Sequence, residues 1–291
     1  MRVFLISLCF CLFGMQPFQF AYAGINDPIN IFVSISPQKY LVERIGGDRV
    51  AVEVMVRTGL SPETYEPTPK QMTALSNSQL YFRIGIPFES VWIGKIDKLN
   101  SRLRIIECCQ FLLTENLPNH DHHDSQITKH DLDAHVWTSP ANAKYLAGLI
   151  KTALIEIDPR FSNDYEKNHA VLVNELDELD NTIRTRLAHI KNRYLIVSHP
   201  AWGYFADAYD LKQIPIEQNG SEIRAKELSR LIELARTENI HTVYVQRQFN
   251  NASAEILARE INADVVELDP LAEHYIENLR RVTDAIVRGA Q

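Results

Sequence analysis

The stretch Asp158-Pro-Arg-Phe-Ser-Asn-Asp-Tyr165-Glu-Lys-Asn-His-Ala-Val-Leu172-Val-Asn-Glu175-Leu176-Asp-Glu-Leu179-Asp-Asn-Thr-Ile183-Arg-Thr-Arg-Leu187-Ala-His189 decides how the chain is organised. Leu172, Leu176, Leu179, Ile183 and Leu187 recur at three- and four-residue steps, the spacing of one helical face. Glu175, Asp177, Glu178, Asp180, Arg184 and Arg186 fill the positions between them and read as the solvated side. Asp158 offers a cap, and Pro159 suits the first helical position. No glycine or proline follows within the stretch. About thirty residues at ~1.5 Å each give roughly 45 Å, enough to run the height of a small domain. Such a helix is either a surface helix of one domain or a rigid spine joining two lobes.

The flanking sequence favours the spine. Before it, residues 31–36, 50–56 and 80–84 read as strands, with helices starting at Pro37 and Thr68. After it, residues 194–198, 213–217 and 242–246 read as strands, with helices from Pro200 and Glu222. The two halves open alike, Ile31-Phe-Val-Ser-Ile-Ser-Pro37 against Leu195-Ile-Val-Ser-His-Pro200. Alternating strands and helices imply an α/β fold: two lobes, each a parallel sheet flanked by helices, joined by one long rigid helix. The expected division is a leader at 1–23, a first lobe at 24–157, the linking helix at 158–190 and a second lobe at 191–291. Ligands of such sheets sit beyond the carboxyl ends of the strands, so two facing lobes would form a cleft.

Arg2, the apolar run 3–13 and the small-x-small triplet Ala21-Tyr22-Ala23 read as a secretory leader cut after Ala23. The mature chain would then work in the periplasm. The net charge is −7, and no basic tract marks a nucleic-acid partner. Cys9 and Cys11 leave with the leader, and the adjacent Cys108 and Cys109 read as buried free thiols, because bridging neighbours strains the peptide between them.

Chemistry concentrates in five places. Glu63 lies in a proline-stiffened loop, Gly59-Leu-Ser-Pro-Glu63-Thr-Tyr-Glu66-Pro-Thr-Pro69. Residues 116–130 hold His120, His122, His123 and His130 among polar residues, a segment able to take Zn²⁺, Cu²⁺ or Ni²⁺ loosely, or simply a solvated loop. His135 lies in Asp133-Ala-His135-Val-Trp137, at the entry to a helix. His199 follows an apolar strand directly, and Asp269 ends the apolar run 265–268, where capping the next helix is its plainer role. Phe88 and Trp92 read as packing rather than as a stacking platform.

With these motifs together, the chain resembles the metal-specific solute-binding proteins of bacterial ABC importers, the zinc and manganese receptors. The motifs are Gly59-x-x-Pro62-x-x-Tyr65-Glu66-Pro67, Asp133-x-His135-x-Trp137, Val197-Ser-His199 and Leu268-Asp269-Pro-Leu271, spread over the whole mature chain. The resemblance implies two lobes on a long helix and metal ligands at Glu63, His135, His199 and Asp269. It also implies a membrane permease as partner, with the chain acting as a monomer. Glu63 stands where the family usually has histidine. The oxygen-richer set points toward Mn²⁺ or Fe²⁺, whereas the histidine-rich segment and the general affinity order point toward Zn²⁺, the reading favoured here. Two other classes compete: a secreted zinc hydrolase with Glu66 as base, which four protein ligands would disfavour by saturating the ion, and a surface adhesin.

Overall fold

The computed structural model describes residues 27–109, 133–217 and 223–291. The leader read at 1–23 and the segment carrying His120, His122, His123 and His130 lie outside the described residues. The first sheet contains β1 (Ile29–Ile35), β2 (Val50–Val56), β3 (Leu80–Arg83) and β4 (Arg104–Glu107). The second contains β5 (Tyr194–Val197), β6 (Lys212–Pro215), β7 (Thr242–Val245) and β8 (Asp264–Glu267). Every pairing is parallel, and the spatial orders match: β2-β1-β3-β4 and β6-β5-β7-β8. Strand β1 is central and buried along nearly its whole length, which is why it reads as an apolar run instead of an alternating one.

Helices cover the sheets. They are α1 (Ser36–Gly46), α2 (Pro69–Ser76), α3 (Pro87–Leu99), α4 (Pro140–Ile157), α5 (Ser162–Leu187), α6 (Gly203–Ala208), α7 (Ala225–Thr237), α8 (Ala252–Ile261) and α9 (Tyr275–Gly289). Thr68 caps α2 through its hydroxyl, which accepts from the Gln71 amide.

The spine is α5, preceded by a 3₁₀ turn at Pro159–Phe161. Its predicted stripe, Leu172 to Leu187, is fully buried together with Tyr165. At about 1.5–3 kcal/mol per buried side chain, this stripe fixes the helix against both lobes. Polar ties reinforce it. Arg44 of α1 makes two hydrogen bonds to Glu175, at 2.7 and 2.8 Å, and Lys144 of α4 pairs with Asp177. From the second lobe, the Tyr209 hydroxyl donates to Asp180 at 2.8 Å, and Asp284 of α9 pairs with Arg186. One hydrophobic core runs from Leu41 and Ile45 through Leu176 to Phe205 and Leu279, so the spine is a shared wall and not a tether. A smaller core under Ile196, Leu231 and Leu257 supports the far face of the second sheet.

Two expectations change. Asp158 makes no capping hydrogen bond; its buried carboxylate pairs with Arg49 and Arg160, both at 3.0 Å. The helix expected from Pro200 starts at Gly203, because His199–Trp202 form a turn in which the Ala201 amide donates to the His199 carbonyl. Cys108 and Cys109 are buried and free, and burial pushes both thiols well up.

Candidate metal centre

In each sheet the chain order reverses between the central strands, and the crevice opens beyond their carboxyl ends. In the second sheet that crevice belongs to His199, two residues past β5. The Ser198 amide donates to Tyr244 of β7 at 2.8 Å, and the Ser198 hydroxyl accepts from the Gln246 amide at 3.1 Å. His199 is only 3% exposed. Phe249 stacks on its ring at 3.9 Å and 11°.

The loop after β2 brings Glu63 to this ring. Glu63 Oε1 lies 3.2 Å from His199 Nε2, yet Nε2 is buried and makes no hydrogen bond with acceptable geometry. On the other ring nitrogen, Nδ1 is hydrogen-bonded to Glu217 Oε2 at 3.2 Å. With Nδ1 donating to that carboxylate, Nε2 carries a lone pair, so two electron-rich atoms face each other. That is a repulsive contact unless a proton or a metal cation sits between them. Zn–N and Zn–O bonds of about 2.0–2.2 Å on a tetrahedral ion put adjacent ligand atoms roughly 3.3 Å apart, close to the separation seen.

His135 lies beside this pair, outside the cluster of closest potential ligand atoms. Its ring lies 5.3 Å from that of His199, edge to face, and lines the same cavity of about 400 Å³. Its Nδ1 is 2.7 Å from Asp133 Oδ1, which also accepts from the His135 amide at 2.9 Å. Both imidazoles are therefore held through Nδ1 by a carboxylate, which leaves Nε2 as the ligand atom on each.

Three hydrogen bonds tie the segment around His135 to the second lobe. Trp137 Nε1 donates to the Pro270 carbonyl at 2.8 Å, and the Tyr275 hydroxyl donates to the Trp137 carbonyl at 2.7 Å. The Tyr204 hydroxyl donates to the Asp133 carbonyl at 3.2 Å. Burial and then the Asp133 charge push the Tyr204 phenol up to about 12, so it stays a donor at neutral pH. Gly203 permits this approach: a Cβ there would lie 2.7 Å from Asp133 Oδ2. The sequence reading assigned Glu63 and His135 to one lobe and His199 and Asp269 to the other. From the first lobe's loops, Glu63 enters the cavity together with Pro62, Ile86 and Pro87.

Asp269 is not brought in. Its Oδ1 accepts from the Leu271 amide at 2.9 Å and from Gln248 Nε2 at 3.1 Å. It lines a separate cavity beside Arg281 and Arg288. The helix cap weighed from sequence is not made either, because the next helix starts at Tyr275. Glu217 was not singled out. Among the described residues, Glu63, His199 and Glu217 form the cluster whose potential ligand atoms lie within 4.8 Å of one another. Its signal was its place at the carboxyl end of the strand read at 213–217.

The family model described as "Zinc-uptake complex component A periplasmic" matches residues 31–289. The chain belongs to this family. A putative metal-binding protein of Chlamydia muridarum is 33% identical over 256 residues, covering 88% of this chain and 89% of that protein. The manganese-binding lipoprotein MntA of Halalkalibacterium halodurans is 26% identical over 277 residues, covering 91% and 89%. Among solved structures, a crystal structure of ZnuA superposes with a TM-score of 0.82 at 38% identity, covering 91% of this chain and 100% of that one. The family is one of metal-binding receptors of ABC importers, and its members are named for both zinc and manganese.

Proposed function

We propose that this protein captures Zn²⁺ outside the cytoplasm, in the cleft between its lobes, and delivers it to the permease of an ABC importer. The observation that carries this reading is the buried contact between His199 Nε2 and Glu63 Oε1, two acceptors 3.2 Å apart with no hydrogen bond between them. Glu63, His135 and His199 are the ligands, the two histidines through Nε2, and solvent holds the fourth position. Two neutral imidazoles and one carboxylate suit a borderline dication, and the affinity order at N/O sites favours zinc over manganese.

Without Asp269 the ion is not saturated by protein, so the case against a hydrolase no longer rests on coordination number. It rests on membership of an uptake family. Mn²⁺ or Fe²⁺ is the second reading, favoured by the carboxylate at position 63 and by the manganese-binding relative. Equilibrium competition on the apo-protein separates the two. Zn²⁺ displacing Mn²⁺ at equal concentration is expected; the reverse would transfer the assignment to manganese.

A further inference from the structure

We infer that Glu217 is a positioning residue for the metal site: its carboxylate holds His199 by Nδ1 and does not itself bind the ion. This inference rests on the site proposed above. By distance alone Glu217 groups with Glu63 and His199 as a potential ligand, but the hydrogen-bond geometry separates their roles. The Glu217 contact satisfies hydrogen-bond geometry on Nδ1, whereas the Glu63 contact on Nε2 does not. The two ring nitrogens point away from each other, so a carboxylate in line with Nδ1 is turned away from an ion in line with Nε2.

The backbone places Glu217 for this task. β6 keeps its register past its last strand residue: the Ile216 amide donates to the Val197 carbonyl at 2.8 Å, and the Glu217 amide to the Ser198 carbonyl at 3.0 Å. Glu217 is thereby locked beside the residue preceding His199. Phe249 fixes the plane of the imidazole, but stacking alone leaves the ring free to flip within that plane. A flip would put carbon where Nε2 stands. The Glu217 contact forbids it, because it would lose the only hydrogen bond the ring makes among the described residues. A carboxylate on Nδ1 also raises the donor strength of Nε2. Asp133 makes the same contact with His135, so both imidazoles are built alike. Glu217 additionally lines a second cavity, shared with Ser61, Thr64, Ser198 and Gln248.

The test compares Glu217→Ala, Glu217→Gln and His199→Ala in the mature chain, by zinc competition against a chelator and by Co²⁺ absorption at saturation. For a positioning residue, Glu217→Ala weakens zinc binding about 10–100-fold, the range of lost outer partners, and Glu217→Gln restores most of it because its amide oxygen still accepts from Nδ1. The Co²⁺ bands keep their position and intensity in both Glu217 variants. Co²⁺ bands altered in both variants, with glutamine as damaging as alanine, would make Glu217 a ligand. Unchanged affinity in both, even with a lower apo melting temperature, would reduce it to a structural residue. Either result overturns the inference. His199→Ala retaining wild-type affinity would instead overturn the site itself.

Discussion

The two sheets share one strand order but use their crevices in opposite ways. Beyond β5 and β7 the crevice stays open, and His199 sits in it with an unsatisfied nitrogen. Beyond β1 and β3 the matching crevice is filled by Glu89 from the first turn of α3, which is fully buried. Its carboxylate accepts from the Ile84 and Gly85 amides at 2.9 and 2.8 Å, from the Ser34 hydroxyl and from Arg83 Nε at 3.3 Å. One duplicated architecture thus carries a binding crevice and a plugged one. The difference lies in whether the buried polar atoms are satisfied from within. In the first lobe the Glu89 oxygens are, and Glu63 comes from the loop after β2. In the second lobe they are not, and the ligand stands on the strand end itself.

The strongest way to break this contrast is His199→Ala. It should weaken zinc by more than the roughly 100-fold that bounds outer-partner losses, as read by chelator competition. Glu63→Ala should cost less, because water can replace one carboxylate oxygen. Glu63→His should sharpen the preference for zinc over manganese, since it exchanges a hard donor for a third imidazole.

Glu89→Ala probes the plugged side. It leaves two amides and Arg83 without their anion and should lower apo-protein stability by about 3 kcal/mol in denaturant unfolding. Zinc affinity measured on the folded fraction should not change. Glu89 also has a pH signature. Burial raises its carboxyl above the ordinary value despite its hydrogen bonds. The folded state therefore binds this proton more tightly than the unfolded chain does. Its stabilising contribution is fully present below the unfolded carboxyl value and is lost as pH rises through the higher folded value. In apo-protein melts, the margin of wild type over Glu89→Gln should grow as the pH is lowered from 7 toward 5. The smallest effect should come from Lys39→Ala, which removes a part-exposed ion pair with Glu273 between the lobes; less than about 1 kcal/mol is expected.

Much of this fold could be read from sequence because its signals are periodic. The α5 stripe emerged at the residues that are buried, and β2 emerged with its observed ends, because apolar spacing reports burial directly. What resisted reading depends on partners distant in sequence. Asp158 looked like a cap until Arg49 came to it across the fold. Asp269 looked like a ligand, but its Oδ1 accepts from Gln248, 21 residues away, and from the Leu271 amide. Glu217 carries only the signal of a strand's carboxyl end and Glu89 no local pattern, since each acquires its role only when two parallel strands align their ends. The attachment of His135 to the second lobe rests on Trp137 reaching Pro270, a contact no spacing rule announces.

Anomalous diffraction at the zinc edge from zinc-loaded crystals tests the shared-ion reading most directly. A single strong peak about 2.0–2.2 Å from His199 Nε2, His135 Nε2 and a Glu63 carboxylate oxygen is the predicted result. A peak bound through His199 Nδ1, or one that leaves Glu63 outside bonding distance, would contradict it.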